Sequence, residues 1–249
     1  AIDLAVNALR SGRCALALVV GVELPVNVHD LSLCSSQRML APGTIATFTE
    51  QATGFTPGDG AGVLVLARAG DALHTGLPVE ALLRAVGSST ESKSVVAPNE
   101  EGQVRSMQRA FAQVEFGPGD VDFVETHGTG TLIGDEVEVR SLSQAYGTRP
   151  GSAPLPLGAL KAQFGHCFAA AGMASVVKTL LALRHGELPP NRYEHPLKPA
   201  LQLAERGFDP LQQARPWPRR SDRPRRAAIN AFGTGGINVH LLLEEAALA

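Results

Sequence analysis

Aromatic side chains are scarce in these 249 residues: they make up 5%, with one Trp and two Tyr. A core short of rings must be filled by Ala, Leu and Val, which favours helices packed closely on a sheet. Cysteine is scarce too. Cys14, Cys34 and Cys167 are too few and too scattered for a disulfide scaffold or a zinc site, so a reducing cytoplasm is expected. Net charge is only −2 at pH 7, which excludes the global basic field of a nucleic-acid binder. The longest apolar run, residues 15–22, falls far short of the roughly 20 residues that a bilayer-spanning helix needs. No signal-peptide pattern is seen, and no membrane partner is expected. What is present is 44% hydrophobic and 18% charged, enough apolar material for a sizeable core and too much for a disordered chain.

The chain has no initiator Met and opens directly in a helical pattern. Leu4, Ala5, Ala8 and Leu9 share a face with no N-cap before them, so the sequence reads as a fragment that starts inside a domain. Residues 14–22 have the continuous apolar character of a strand buried on both faces. Residues 25–58 read as irregular, 62–66 and 79–86 as strands, 103–113 as a helix and 121–124 as a short buried strand. A helix over 135–146, a short apolar segment at 155–160 and a strong helix over 169–184 follow. Residues 186–226 read mostly as loop, and 227–229 and 237–244 as strands. Strands alternating with helices argue an α/β fold.

Two histidines sit where chemistry is expected. His127, in His-Gly-Thr-Gly-Thr131, follows an apolar strand, and loops at strand carboxyl ends are where α/β folds build sites. Its glycines permit close backbone approach and its hydroxyls can orient an imidazole. A surface His in a turn is the plainer alternative. His166 closes Lys161-Ala-Gln-Phe-Gly-His and precedes a helix, whose positive end disfavours imidazolium. A neutral ring there can donate a hydrogen bond to a polarised carbonyl; the alternative is a capping His, and for Lys161 a solvated lysine. Phe232-Gly-Thr-Gly-Gly236 joins two strands, either to aim backbone N–H groups at an anion or as a tight hairpin. Six arginines between Arg215 and Arg226 could touch phosphate or form a solvated linker. A metal site on His127, Asp135 and His166 lacks close ligand spacing, and no metal is expected.

Together these motifs carry a resemblance. Val-Glu-Thr-His-Gly-Thr-Gly-Thr-Leu-Ile-Gly-Asp135, Lys-Ala-Gln-Phe-Gly-His-Cys-Phe-Ala-Ala-Ala-Gly172 and Asn-Ala-Phe-Gly-Thr-Gly-Gly-Ile-Asn-Val-His240 resemble three signature blocks of β-ketoacyl synthases. Gly54-Phe-Thr-Pro-Gly-Asp-Gly-Ala-Gly62 resembles a fourth, and all four run in family order. The flavour is that of ketosynthase domains of modular polyketide synthases.

The resemblance implies thiolase-like αβαβα layers, here truncated at the N-terminus. Residues 1–66 would be the remainder of the first half, and 67–249 the second half with both histidines. It implies decarboxylative Claisen condensation of an acyl thioester with a malonyl-type extender, in polyketide or fatty acid biosynthesis. His127, His166 and Lys161 match catalytic positions. Thr129, Thr131, Phe232, Gly233, Thr234 and Gly235 match substrate-binding ones. No cofactor is bound, since the phosphopantetheine thioester arrives on an acyl carrier protein. That carrier, neighbouring megasynthase domains and a second copy in a homodimer are the implied partners, in the cytoplasm.

In the family the nucleophilic Cys precedes the first His by well over a hundred residues. Cys34-Ser-Ser36 imitates that nucleophile's run but lies too close to His127, so the true Cys is expected upstream of Ala1 and the isolated fragment is expected to be inactive. Cys167 reads as a buried small residue. Three positions depart from the pattern: Thr234 stands for Phe, Phe168 for a polar residue and Ile237 for Thr. A non-catalytic ketosynthase-like partner or docking module is the alternative function, and a Cys/His hydrolase using Cys34 a third.

Overall fold

A computed structural model describes residues 1–24, 28–91, 97–147 and 153–246. The opening apolar stripe forms α1 (Ile2–Arg10), followed by β1 (Leu16–Glu23) and α2 (Val28–Ser36). Then come β2 (Gly60–Ala67), α3 (Ala69–His74), β3 (Ala81–Thr90), α4 (Glu100–Phe111) and β4 (Phe123–Glu125). Next are α5 (Gly134–Tyr146), β5 (Leu155–Gly158), α6 (Lys161–Phe164) and α7 (Phe168–His185). The short β6 (Glu187–Leu188), β7 (Phe208–Pro210) and β8 (Arg215–Pro216) precede β9 (Arg226–Gly233) and β10 (Ile237–Glu245). The expectation that residues 25–58 are irregular is corrected by α2, an α-helix whose only buried side chain is Cys34. So weak an apolar face leaves little periodicity to read.

Six strands form the main sheet in the order β3-β10-β9-β4-β5-β7. The β3–β10 and β10–β9 pairs are antiparallel, while β9–β4, β4–β5 and β5–β7 are parallel. Along β9, Ala228 faces a core shared with Met107, Leu142 and Tyr146 of α4 and α5. Its neighbour Ile229 faces the opposite core, with Val176 of α7 and Ile2 and Val6 of α1. The sheet is therefore covered on both faces, as its apolar strands require.

A second, antiparallel sheet pairs β1 with β2 over eight residues each. It packs on the far side of α7, where Gly21 approaches the backbone of Ala169 and Ala170, and Gly62 meets Met173. The layers thus run α, β, α, β. Here the reading of residues 14–22 as a strand buried on both faces is corrected. Burial alternates along β1: Val19 is 3% exposed, whereas Leu18 is 71%. Among the described residues no element covers the outer face, so Leu16, Leu18, Val20 and Val22 stay exposed. No described helix is long and apolar enough to cross a membrane.

The arginine run resolves toward structure. Arg215 pairs with Asp209, Arg219 and Arg225 with Glu245, Arg220 with Asp222, Arg223 with Asp122 and Arg226 with Glu244. All six guanidinium groups have a carboxylate partner within the chain, which speaks against a phosphate site; the solvated-linker reading is corrected too, since Arg225 is 3% exposed and Arg226 opens β9. The glycine-rich turn is a hairpin: Gly233 pairs with Ile237 across β9 and β10.

Candidate active site

His127 leaves the carboxyl end of β4, and His166 sits in the turn between α6 and α7. The parallel pairing of β4 with β5 brings the two segments side by side. Their rings meet edge to face with centroids 5.7 Å apart. The fourth sequence block explains itself here. Gly54 N donates to Gly130 O at 2.8 Å, while His166 N donates to Thr56 O at 2.8 Å and Gly58 N to His166 O at 3.0 Å. One loop thus clasps both histidine turns. Gly54 has φ +153 and Gly58 lies against the Phe164 carbonyl, so a side chain fits at neither.

The hydrogen bonds fix the tautomers. Phe168 N–H donates to His166 Nδ1 at 3.1 Å, and Phe232 N–H donates to His127 Nδ1 at 3.3 Å. Each Nδ1 is therefore an acceptor, and in a neutral ring the proton sits on Nε2. Both rings are held neutral. Burial depresses His127 well below its ordinary value, with Lys161 and His166 adding to the effect. Burial, then Lys161, lowers His166 to about 3. Lys161 is itself buried, and its ammonium donates to His127 O at 2.5 Å. Burial draws its pKa down against the opposing pull of Glu125 and Glu138. The site thus presents two neutral Nε2–H donors beside one cation.

A cavity of about 320 Å³ opens on the pair. Thr129, Thr131, Phe232, Gly233 and Thr234 line it; Gly235 and Lys161 do not. Phe168, in place of a polar residue, stacks on His166 at 4.9 Å, and Phe55 meets both rings edge-on. Gln103 of α4 also lines the cavity; it is 1% exposed, and its Oε1 has no partner among the described residues.

Glu138 and Glu125 were missed in the sequence, and Asp135 was weighed there only as a metal ligand. Glu138 accepts from His127 N at 2.7 Å and Gly128 N at 2.8 Å. Asp135 accepts from Phe48 N at 2.6 Å and Gly130 N at 3.0 Å, so it braces loops and does not face the histidines as a metal ligand. Among the described residues no group of three His, Cys, Asp or Glu side chains could hold a metal. Glu125, fully buried, bonds Lys178 at 2.7 Å and accepts from Leu160 N at 2.7 Å. The available signal was carboxylates on strands and helix faces that are otherwise apolar. The cysteines stand apart from the cavity: Cys34 is buried against Ile45 and Phe55, and Cys167 donates to Asp59 O at 3.4 Å. Burial raises both thiols above the ordinary value, with Asp30 adding to the shift at Cys34.

Layered sheets sharing a central helix, with one imidazole at a strand end and its partner at the start of that helix, define a thiolase-like α/β protein. The N-terminal domain model of β-ketoacyl synthases matches residues 1–72, and the C-terminal domain model matches 80–193. The chain belongs to the β-ketoacyl synthase family, and its relatives are modular polyketide synthases. It is 41% identical to polyketide synthase GfsA of Streptomyces halstedii, over 99% of this chain and 3% of that protein. With the pikromycin polyketide synthase component PikAIII of Streptomyces venezuelae it shares 42%, over 99% of this chain and 16% of that one. Among solved structures, the oxazolomycin ketosynthase domain of Streptomyces albus superposes with a TM-score of 0.93 at 34% identity, over 99% of this chain and 44% of that one. The ketosynthase from module 6 of the Bacillus subtilis bacillaene synthase gives 0.89 at 30%, over 99% and 45%. The chain thus spans less than half the length of these ketosynthases.

Proposed function

We propose that these residues form the decarboxylation half of a ketosynthase site in a modular polyketide synthase. A malonyl-type thioester enters the cavity, and His127 and His166 donate Nε2–H bonds to its thioester carbonyl. As the carboxylate leaves as CO₂, its electron pair passes to the α-carbon and charge builds on that oxygen. Two preorganised donors in a water-poor cavity stabilise it, each worth about 3 kcal/mol. The carbanion then attacks an acyl thioester held on a cysteine, forming the new carbon–carbon bond and expelling the thiolate. Burial keeps both rings neutral, and the Lys161 cation beside them further opposes protonation. Thr129, Thr131 and the 232–235 turn would contact the thioester arm of an acyl carrier protein. The acylated thiol is proposed to lie outside these 249 residues. Homodimer formation, neighbouring synthase domains and a cytoplasmic setting belong to the same reading.

The observation that carries this reading is the fixed tautomer pair: two neutral Nε2–H donors on one cavity. The test uses the ketosynthase that contains these residues. His127→Ala and His166→Ala should each slow malonyl-thioester decarboxylation by about 10²–10³ while acyl loading persists. Wild-type decarboxylation in either variant would overturn the assignment.

A further inference from the structure

Behind the histidines lies a second set of polar side chains. Asn230 of β9 and His240 of β10 are directly opposed cross-strand partners on the sheet face that packs against α4 and α5. Both are buried, at 1% and 0% exposure. Asn230 Nδ2 donates to Glu138 Oε1 at 2.8 Å. Its Oδ1 therefore faces His240 Nδ1, 2.7 Å away, and that nitrogen must be the donor. Nε2 of the neutral ring is then an acceptor, and Tyr146 O–H, 3.0 Å away, donates to it. Every bond in this chain points the same way, from Tyr146 through His240 and Asn230 to the Glu138 carboxylate. Glu138 lies in the second turn of α5 and Tyr146 at its C-terminal end, so the helix is tied at two points to one strand pair. The carboxylate spends its remaining capacity on His127 N and Gly128 N, where the backbone turns at φ +46.

We propose that Tyr146, His240 and Asn230 are positioning residues: their one-way hydrogen-bond chain orients the Glu138 carboxylate that holds the His127 turn. Glu138, an acceptor only, dictates which end of the Asn230 amide faces it; Asn230 Oδ1 then dictates Nδ1–H on His240, and the Tyr146 hydroxyl supplies the donor that the remaining Nε2 needs. Without that hydroxyl, Nε2 is a buried acceptor with no donor, and the contact that holds the His240 ring against Asn230 is lost. The Asn230 donor to Glu138 is loosened in turn. Burial already raises the Glu138 pKa against the pull of its three donors, so losing one donor frees the turn.

The inference rests on the decarboxylation reading for its kinetic arm only. In the ketosynthase containing these residues, Tyr146→Phe should lower kcat for malonyl decarboxylation about tenfold with KM within twofold. His240→Leu should cost more, and His240→Gln, which can still donate to Asn230, should recover most of the rate. In ¹⁵N–¹H spectra the wild-type His240 should show Nδ1–H with Nε2 as a hydrogen-bonded acceptor; Tyr146→Phe should remove the Nε2 hydrogen-bond signature and keep Nδ1–H, and His240→Leu should move the Gly128 amide resonance. An Nε2–H pattern in the wild type, or a Gly128 resonance unmoved by His240→Leu, would overturn the chain, as would His240→Leu turning over at the wild-type rate. A wild-type enzyme that does not decarboxylate malonyl thioesters would sink the proposed function instead, and the spectra would still decide the chain.

Discussion

Strands β1 and β9 are each eight residues long and mostly apolar, yet their settings differ. Four consecutive residues of β9, from Ala227 to Asn230, are at most 1% exposed, with helices above and below. In β1 every second residue stands in solvent, and the paired strand β2 continues the patch through Val63 and Val65. Both catalytic candidates, the lysine and the buried carboxylates attach to the doubly covered sheet. Keeping imidazoles neutral and carboxylates fixed needs a dry, rigid surround, which a sheet covered on one side cannot give.

The largest expected effect contrasts two glycines. A methyl at Gly87 in β3 meets the α4 backbone at Ser106 and Ala110, whereas one at Gly62 in β2 meets mainly the flexible Met173 side chain. Gly87→Ala should destabilise by about 3–5 kcal/mol and Gly62→Ala by about 1, measured by denaturant unfolding. Equal losses would erase the contrast.

Truncation of leucines comes next. Leu242→Ala in the fully buried β10 position should cost about 3 kcal/mol. Leu18→Ala, on the bare face, should fall within about 0.5 kcal/mol. A comparable cost at Leu18 would mean that this face is covered in solution.

Acid should strike the two regions unequally. His240 is held at about 3 by burial, against 6.5 when free. Between those values the unfolded chain binds a proton that the fold refuses, so stability falls as pH drops. The loss from this one group is about 2 kcal/mol between pH 6.5 and 5, and His166 shifts in the same direction. Acid should therefore loosen the six-stranded sheet, and His240→Gln should flatten the dependence. An unchanged slope in that variant would contradict it.

The smallest thermodynamic effect concerns solubility. Leu18→Lys with Val65→Lys should leave the unfolding midpoint nearly unchanged while reducing concentration-dependent light scattering of the 249-residue chain. Unaltered scattering would show that the patch is not the adhesive surface.

Much of this was legible in the residues. The strand-to-loop position of His127 followed from an apolar run ending in a glycine-rich segment, the place of His166 just ahead of α7 from the helical pattern that follows it, and α5 and α7 from their periodicity. The Glu138–Asn230–His240–Tyr146 chain was not legible, because it is made by pairing β9 with β10 and laying α5 across them, and no local pattern encodes that. The bare face of β1 was misread for a related reason. A continuous apolar run looks the same whether one face or both are covered. Helix α2 escaped because its sequence has almost no apolar face to mark it.

The central claim is that these residues supply the decarboxylating imidazoles but not the acylated thiol. Incubating the 249-residue chain and the ketosynthase containing it with an acyl thioester, followed by intact-mass and peptide mapping, tests this directly. The account predicts that Cys14, Cys34 and Cys167 stay unmodified in both, and that a thioester appears only on sequence beyond this chain. Stoichiometric acylation at Cys34 would contradict it.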